Sequence, residues 1–257
     1  MISDVTTRIS AKTISKQAGR DGQARATQNK ILRGLPRKEF SSVFPALEFV
    51  ELPTHTVLNE MSEPIVFAYF IESGLASVLN VMEDGKSVEV GLTGKEGFVG
   101  IPLLVGFNSS PSRVIMQIEG SGFRISAKEF TAVLPECPML QKSLHRYSQE
   151  LGVQATQVAA CNRLHEVDER LARWLLMSQD RIDGNVVPLT QEFLAHMLGT
   201  RRASVTLAAG MLQKAGLITY SRGEVKIENR KELEEAACEC YAAINRQSRN
   251  WHDEAKK

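Results

Sequence analysis

The strongest constraint on the fold is a run of local signals in the last third of the sequence. Residues 189–198 are predicted to form a short helix, because the hydroxyl of Thr190 can accept hydrogen bonds from the unpaired amides of its first turn. Gly199 ends this helix, and a second helix is predicted over residues 201–214 with Thr200 as its N-cap. Two helices joined by such a short glycine turn have the spacing of a helix-turn-helix.

A β-hairpin and an excess of basic residues accompany these helices. Residues 217–221 and 224–227 read as two strands on either side of a turn at Arg222-Gly223, where winged helices carry their wing. Residues 199–231 hold seven basic and two acidic side chains, although the net charge of the whole chain is only +1. Such a local excess suits a polyanion such as DNA. A purely structural αα-hairpin with a β-ribbon shows the same periodicities. The prediction of DNA binding therefore depends on the order of the elements: a capped helix, a glycine turn, a basic helix and then a hairpin.

The first half of the chain has a different pattern. Residues 1–29 contain no aromatic residue and are rich in Ser, Thr, Ala, Gln and Arg, which predicts a flexible tail. From residue 30 to residue 137, short apolar or alternating segments recur between Gly, Pro, Asp and Asn residues. This spacing predicts a small antiparallel barrel or sandwich, with its clearest hairpin turn at Asp84-Gly85.

After Pro138 the pattern becomes helical. Apolar residues recur at steps of three and four without an intervening proline, so residues 138–183 are predicted to form one long central helix, with or without a break. A helix of about forty residues spans about 60 Å, so part of its apolar stripe is predicted to pair with a second copy of the chain. The alternative is two ordinary helices packed on one core. The predicted dimer interface consists of Leu140, Leu144, Tyr147, Leu151 and Val158.

The chain resembles the Crp/Fnr family, the relatives of the cyclic AMP receptor protein, over about residues 30–240. The strongest stretch is 189–227, above all Gly-Thr-Arg-Arg-Ala-Ser-Val-Thr at 199–206 and Gly-Leu-Ile at 216–218. Gly-Phe-Val-Gly at 97–100 and Phe-Arg-Ile-Ser at 123–126 are also similar to the family. The resemblance implies an α+β fold with an N-terminal cyclic-nucleotide-binding-type β-roll, a long central dimerisation helix and a C-terminal winged helix-turn-helix.

The expected domain boundaries combine this resemblance with the sequence pattern. They are a flexible tail at 1–29, a β-roll sensor domain at 30–137, the central dimerisation helix at 138–183, the winged helix-turn-helix at 184–245 and a C-terminal tail at 246–257.

The resemblance also implies which residues contact DNA. Arg202 aligns with the arginine that contacts guanine in the major groove in this family. The family's other base-reading positions hold Ala203 and Leu207, which form no side-chain hydrogen bond, so the operator should differ there from that of the cyclic AMP receptor protein. The residues expected to contact phosphates are Arg201, Ser204 and Thr206, with Thr190, Gln191 and Thr200 at the two helix starts.

The effector site departs from the family pattern. Members that bind cyclic nucleotides hold the ribose with a Glu and the cyclic phosphate with an Arg-Ser pair, but an ungapped count places Ile101 and Pro111 at the Glu and Arg positions. Only Ser112 matches, and Arg113 lies two residues late, where it can point the same way as position 111 on a strand. Cyclic AMP is therefore not expected to bind, and the effector is unknown or absent. The candidate effector pocket consists of Gly100, Ile101, Ser112 and Arg113.

No cofactor, metal or enzymatic activity is expected. The four cysteines lack a C-x-x-C pair and are expected to be reduced thiols; Cys238-Glu239-Cys240 as a metal ligand or redox pair is the alternative. No cysteine precedes Cys137, which excludes the N-terminal iron–sulfur cluster of some family members, and His55 is the single β-roll histidine available to haem. The sequence has no P-loop, H-E-x-x-H or G-x-S-x-G motif.

These observations predict a DNA-binding transcriptional regulator that acts as a homodimer. Its expected partners are a double-stranded operator, a second copy, RNA polymerase if it activates, and an unidentified small-molecule effector. The apolar runs are shorter than the roughly 20 residues of a membrane-spanning helix, and no secretory signal is evident, so a soluble cytoplasmic protein is expected. The alternative function is a small-molecule sensor that acts through protein partners without DNA.

Overall fold

The computed structural model describes residues 27–221 and 223–254, which form two domains joined by a long helix. The strands of the N-terminal domain are β1 (Glu48–Leu52), β2 (Val57–Asn59), β3 (Phe67–Val81), β4 (Ser87–Thr93), β5 (Phe98–Val99) and β6 (Arg113–Ser126). They form one antiparallel sheet in the order β1-β6-β3-β4, with β2 paired to β6 and β5 paired to β3. The predicted α+β fold with an antiparallel N-terminal β-domain is confirmed.

The long strands β3 and β6 organise this sheet. They pair antiparallel from Phe67 with Ser126 to Leu79 with Arg113, and the register shifts near the middle. At the shift the two backbones approach so closely that a Cβ at Gly120 would lie 2.0 Å from the carbonyl oxygen of Ser73. The hairpin predicted at Asp84-Gly85 joins β3 to β4, and Gly85 has the positive φ (81°) that this turn requires.

Short helices cover one side of the sheet, namely α1 (Lys30–Arg33), α2 (Arg37–Val43) and α3 (Ala127–Val133). Asn29 is fully buried and caps α1, while its side-chain amide donates to the carbonyl oxygens of Ile71 and Gly97 at 3.0 and 2.8 Å. The boundary predicted for the flexible tail, residues 1–29, therefore lies too late in the chain, because these hydrogen bonds fix Asn29. Residues 1–26 lie outside the described residues.

The helix α4 (Pro138–Leu164) corrects the predicted dimer interface. Leu140 and Leu144 are 0% exposed and, with Tyr147, belong to the hydrophobic core of the chain's own β-roll. The hydroxyl of Tyr147 lies 2.8 Å from that of Thr93, and burial raises the pKa of this tyrosine. Val158 is buried as well and Leu151 is half-buried. The same chain covers Leu140, Leu144, Tyr147 and Val158, so these four residues are not available for a contact between two copies.

The central helix has a break. His165 has an extended conformation (φ −113°, ψ 152°), and α5 (Val167–Gln179) then begins with a capping box between Glu166 and Glu169. Residues 170–178 of α5 are all buried, and α5 packs on helices of the C-terminal domain. The break that the sequence prediction left open is therefore present, and the helices end at Gln179. The second helix belongs to the C-terminal core, which begins earlier than the expected boundary at residue 184.

The C-terminal domain has the predicted helix-turn-helix and hairpin. It contains β7 (Val186–Pro188), α6 (Gln191–Met197), α7 (Arg202–Lys214), β8 (Ile218–Ser221), β9 (Glu224–Ile227), α8 (Arg230–Ala236) and α9 (Cys240–Glu254). β7 adds a third strand beside β9, in the order β7-β9-β8. The tail predicted from residue 246 is wrong over the described residues, because α9 continues to Glu254 and packs along α4.

The two domains share a hydrophobic core. Leu75, Leu79 and Leu92 of the β-roll belong to the same buried cluster as Trp174 of α5 and Leu194 of α6. The helix-turn-helix is therefore held against the β-roll in this structure. Over residues 27–221 and 223–254, no helix is both long and apolar enough to cross a membrane.

Candidate nucleic-acid interface

Local hydrogen bonds and one glycine position the two helices of the candidate interface. The hydroxyl of Thr190 accepts a hydrogen bond from the amide of Phe193 at 3.2 Å, which confirms Thr190 as the N-cap of α6. Gly199 has a φ of 57°, a left-handed conformation in which glycine avoids the strain of a side chain. The chain then turns into α7, whose Val205, Ala208 and Leu212 are buried in the core.

The start of α7 differs from the prediction. Arg201, not Thr200, is the N-cap residue, and no side chain caps the first turn with a hydrogen bond. The helix consequently presents its first amide groups and the positive end of its dipole without a side-chain acceptor. Anions such as phosphate favour this kind of helix start.

The predicted base-reading residue is accessible to a ligand. The side chain of Arg202 is 67% exposed, and its Nη1 lies 3.8 Å from the Glu192 carboxylate, beyond hydrogen-bond distance. An exposed ion pair of this kind contributes little free energy, so a new partner can replace Glu192. Arg201 and Ala203 are exposed beside it, and Ser204 is half-buried.

The predicted phosphate contacts Gln191 and Thr206 form a pair. The Thr206 hydroxyl lies 2.9 Å from Oε1 of Gln191 and 3.0 Å from the carbonyl oxygen of Arg202, and can donate to either. This contact joins the start of α6 to the first turns of α7. Gln191 therefore has its side-chain amide group as the remaining donor, and the hydroxyl of Thr206 already has partners within the protein.

The outer face of α7 also carries exposed apolar side chains. Leu207 is 71% exposed and Met211 is 53% exposed. From the sequence alone, Leu207 is only a position unable to form hydrogen bonds. Its exposure on α7 indicates an apolar contact, which the sequence pattern does not reveal.

Internal ion pairs reduce the positive charge predicted near the wing. Lys226 lies 2.8 Å from the carboxylate of Glu228, and Arg230 lies 2.7 Å from that of Asp180. Arg222, at the predicted wing turn, lies outside the described residues. Arg201 and Arg202 at the start of α7 are exposed and are not neutralised by an ion pair within hydrogen-bond distance in the described residues.

Of the four candidate effector residues, only Ile101 lines a cavity. A cavity of about 520 Å³ lies between residues 101–111 and α4, and Ile101 and Pro111 line it, but Gly100, Ser112 and Arg113 do not. Arg113 instead donates to both oxygens of Glu60 at 2.9 and 3.0 Å. Although burial raises the pKa of Glu60, these bonds hold it below its usual value. The Ser112 hydroxyl donates to Oδ1 of Asn80 at 3.0 Å.

Comparisons with known proteins define the class of this chain. Residues 169–236 match the model of the Crp-like helix-turn-helix domain. A search of curated proteins found no match. The matched segment begins in α5, in agreement with the structural assignment of this helix to the C-terminal domain.

Solved structures share the fold over about three quarters of this chain. FixK2 from Bradyrhizobium japonicum has a TM-score of 0.64 at 15% identity, with 75% of this chain and 98% of that chain covered. The c-di-GMP responsive global regulator CLP from Xanthomonas campestris has a TM-score of 0.62 at 18% identity, covering 76% and 100%. A Crp/Fnr-family transcriptional regulator from Thermus thermophilus has a TM-score of 0.57 at 21% identity, covering 74% and 98%.

The protein is thus of the helix-turn-helix class. It carries a Crp-like helix-turn-helix domain and has the fold of a Crp/Fnr-type DNA-binding transcriptional regulator.

Proposed function

We propose that this protein binds a specific DNA operator as a homodimer in the cytoplasm and thereby regulates transcription. The observation that carries the proposal is the exposed first turn of α7, where Arg202 is 67% exposed and the helix start has no side-chain cap. RNA polymerase is a further partner if the protein activates.

Arg202 reads guanine directly. Its guanidinium can donate two hydrogen bonds to O6 and N7 of one guanine in the major groove. Leu207, five residues further along α7, is exposed and suits contact with a thymine methyl group. Phosphate contacts fix the register, and they come from Arg201, Ser204, Thr190, Thr200 and the Gln191–Thr206 pair.

A matched pair of variants tests the assignment of Arg202. On an operator selected from genomic fragments, we expect Arg202→Ala to lose about 1–3 kcal/mol of binding free energy and to flatten the preference for one guanine per half-site. Arg201→Ala, the control, should weaken all sequences alike and reduce the salt slope by about one. Fluorescence anisotropy on operators substituted at each base pair measures both effects. A wild-type sequence preference in Arg202→Ala would show that Arg202 contacts only phosphate.

The homodimer forms through a face of α4 that the β-roll leaves open. Five exposed residues of α4 recur at steps of three and four, the spacing of one face of a coiled coil: His145, Gln149, Gly152, Thr156 and Ala159.

We expect wild-type protein to be a dimer in light scattering. Ala159→Arg should give a folded monomer with weaker operator binding, whereas Ala242→Arg, at an exposed position on α9, should stay dimeric. Monomeric wild-type protein at micromolar concentration would refute the dimer.

The effector cavity does not take cyclic AMP. The residues that line it include no lysine or arginine in the described part of the chain, and Arg113 is paired with Glu60. A cyclic phosphate would therefore lose its charge-assisted hydrogen bonds, at a cost of a few kcal/mol, or more than about a hundredfold in affinity. Calorimetry should detect no binding at physiological concentration. A micromolar dissociation constant would contradict this, and Arg113→Ala would then be the first variant to measure.

A further inference from the structure

Four metal-binding side chains meet where α4 breaks. Cys161 lies near the end of α4 and His165 lies in the break. Cys238 lies between α8 and α9, and Cys240 is the first residue of α9. The sulfur and nitrogen atoms that these residues offer all lie within 4.8 Å of one another. Sγ of Cys161 lies 3.4 Å from Sγ of Cys238, and Sγ of Cys240 lies 3.5 Å from Nδ1 of His165.

We propose that these four residues bind one Zn²⁺ ion. Three thiolates and an imidazole are a donor set of tetrahedral structural zinc sites. With bonds of about 2.3 Å to sulfur and about 2.0 Å to nitrogen, a tetrahedral ion separates its ligand atoms by roughly 3.5–3.8 Å. The four side chains are therefore already near the spacing of a single ion. An iron–sulfur cluster places several iron atoms between its cysteines and needs a wider arrangement.

Groups around the four ligands orient them as in known metal sites. Nε2 of His165 lies 3.1 Å from the carboxylate of Glu239, which favours a proton on Nε2 and directs the lone pair of Nδ1 towards the cysteines. Gln157 donates from Nε2 to Sγ of Cys240 at 3.2 Å. Both contacts are those expected of residues that support a metal ligand without touching the ion.

The surroundings also compensate the charge of such a site. Zn²⁺ with three thiolates has a net charge of −1, and two buried guanidinium groups, Arg170 and Arg173, interact electrostatically with Cys161. Within the described residues neither arginine forms an ion pair with a carboxylate, and the Nε of each lacks a hydrogen-bond partner. A thiolate is the form that binds metal, and positive charge beside a cysteine favours that form.

A metal here would connect the two ends of the C-terminal domain to α4. Cys161 and His165 flank the point at which the chain leaves α4, while Cys238 and Cys240 begin α9, which packs along α4. Binding would fix the direction in which the helix-turn-helix leaves α4. The sequence predicts reduced thiols because Cys238 and Cys240 have no other metal-binding residue near them along the chain. The fold, however, brings Cys161 and His165 beside them.

Metal analysis tests the proposal directly. We expect the full-length chain, purified under reducing conditions, to contain one zinc per chain by mass spectrometry, and Co²⁺ exchanged into the site to give the intense visible bands of tetrahedral thiolate coordination. Cys238→Ser and Cys240→Ser should reduce the metal content to near zero. Cys137→Ser, which removes a buried cysteine of the β-roll core, should retain it. Glu239→Gln should weaken zinc binding about 10–100-fold.

Three outcomes would overturn the proposal. One is wild-type protein with no zinc that yields no tetrahedral spectrum with Co²⁺. Another is a chain lighter by two hydrogens whose mass returns on reduction and in which peptide mapping finds a disulfide between Cys161 and Cys238. If the cysteine variants fail to fold, the wild-type protein is tested instead by titrating its thiols with a mercurial. It should release one Zn²⁺ to a chromogenic chelator, and the absence of release counts against the site.

Discussion

Glu89 makes the contact between the two domains sensitive to pH. Its carboxylate, on β4, accepts hydrogen bonds from Nε1 of Trp174 on α5 at 2.8 Å and from the hydroxyl of Ser77 at 2.7 Å. Burial raises the pKa of Glu89 to about 7, although these two hydrogen bonds and the charges of Arg173 and Arg181 oppose the change. The unfolded chain has the ordinary value of 4.5.

This difference predicts the direction and size of a pH effect on stability. Between pH 4.5 and about 7 the folded protein holds a proton on Glu89 that the unfolded chain has lost, so the free energy of unfolding falls as pH rises. At about 1.4 kcal/mol per unit of pKa, the loss is about 3 kcal/mol. The stabilisation is fully present below pH 4.5 and is lost as pH rises through about 7.

Glu89→Gln removes this titration while it keeps the size of the side chain and an oxygen that can accept from Trp174. We expect the stability of the variant relative to wild type to rise by about 3 kcal/mol from pH 5 to pH 8. Urea unfolding followed by tryptophan fluorescence gives both curves, and titrations elsewhere cancel in the difference. Glu51→Gln, on an exposed position of β1, is the control and should follow wild type. Parallel curves for Glu89→Gln and wild type would refute the reasoning.

Three further substitutions test the packing by urea unfolding. Leu144→Ala should cost about 2–5 kcal/mol, because its side chain is fully buried in the β-roll core; an unchanged stability with loss of the dimer would contradict this placement. Gly97→Ala should cost about 1–3 kcal/mol and change the near-UV circular dichroism, because its Cβ would lie 2.2 Å from the hydroxyl of Tyr147. Asn29→Ala should cost about 2–4 kcal/mol, because a cap and two bonds to buried carbonyls are lost; a loss below about 0.5 kcal/mol would contradict an ordered segment there.

The helix-turn-helix could be predicted from the sequence because each of its signals is local. A capping hydroxyl at Thr190 and a left-handed turn at Gly199 depend on neighbouring residues only, and the structure confirms both. The start of α7 was placed one residue early, since Arg201 keeps an extended backbone. Helix ends depend on cap geometry that residue type does not fully determine.

Features that depend on distant contacts could not be predicted in the same way. The polar sequence of α9 gives little sign of a helix without α4 beside it, where the hydroxyl of Ser248 lies 3.3 Å from the carboxylate of Glu150. The cluster at His165 is hidden for the same reason. Its cysteines and histidine are far apart in the chain, so the spacing of typical zinc motifs is absent.

The surface of α4 shows why the fold was predicted better than the assembly. Hydrophobic periodicity identifies the face of a helix that must be buried, but not the surface that covers it. The face with Leu144 is covered by the β-roll, and Gln157 and Cys161 face the junction with α9. The remaining exposed face contains Gly152, Thr156 and other small or polar residues, which an apolar pattern does not register. Substitutions on this third face should therefore change the oligomeric state with little effect on the stability of the protomer, whereas substitutions at Leu144 should do the reverse.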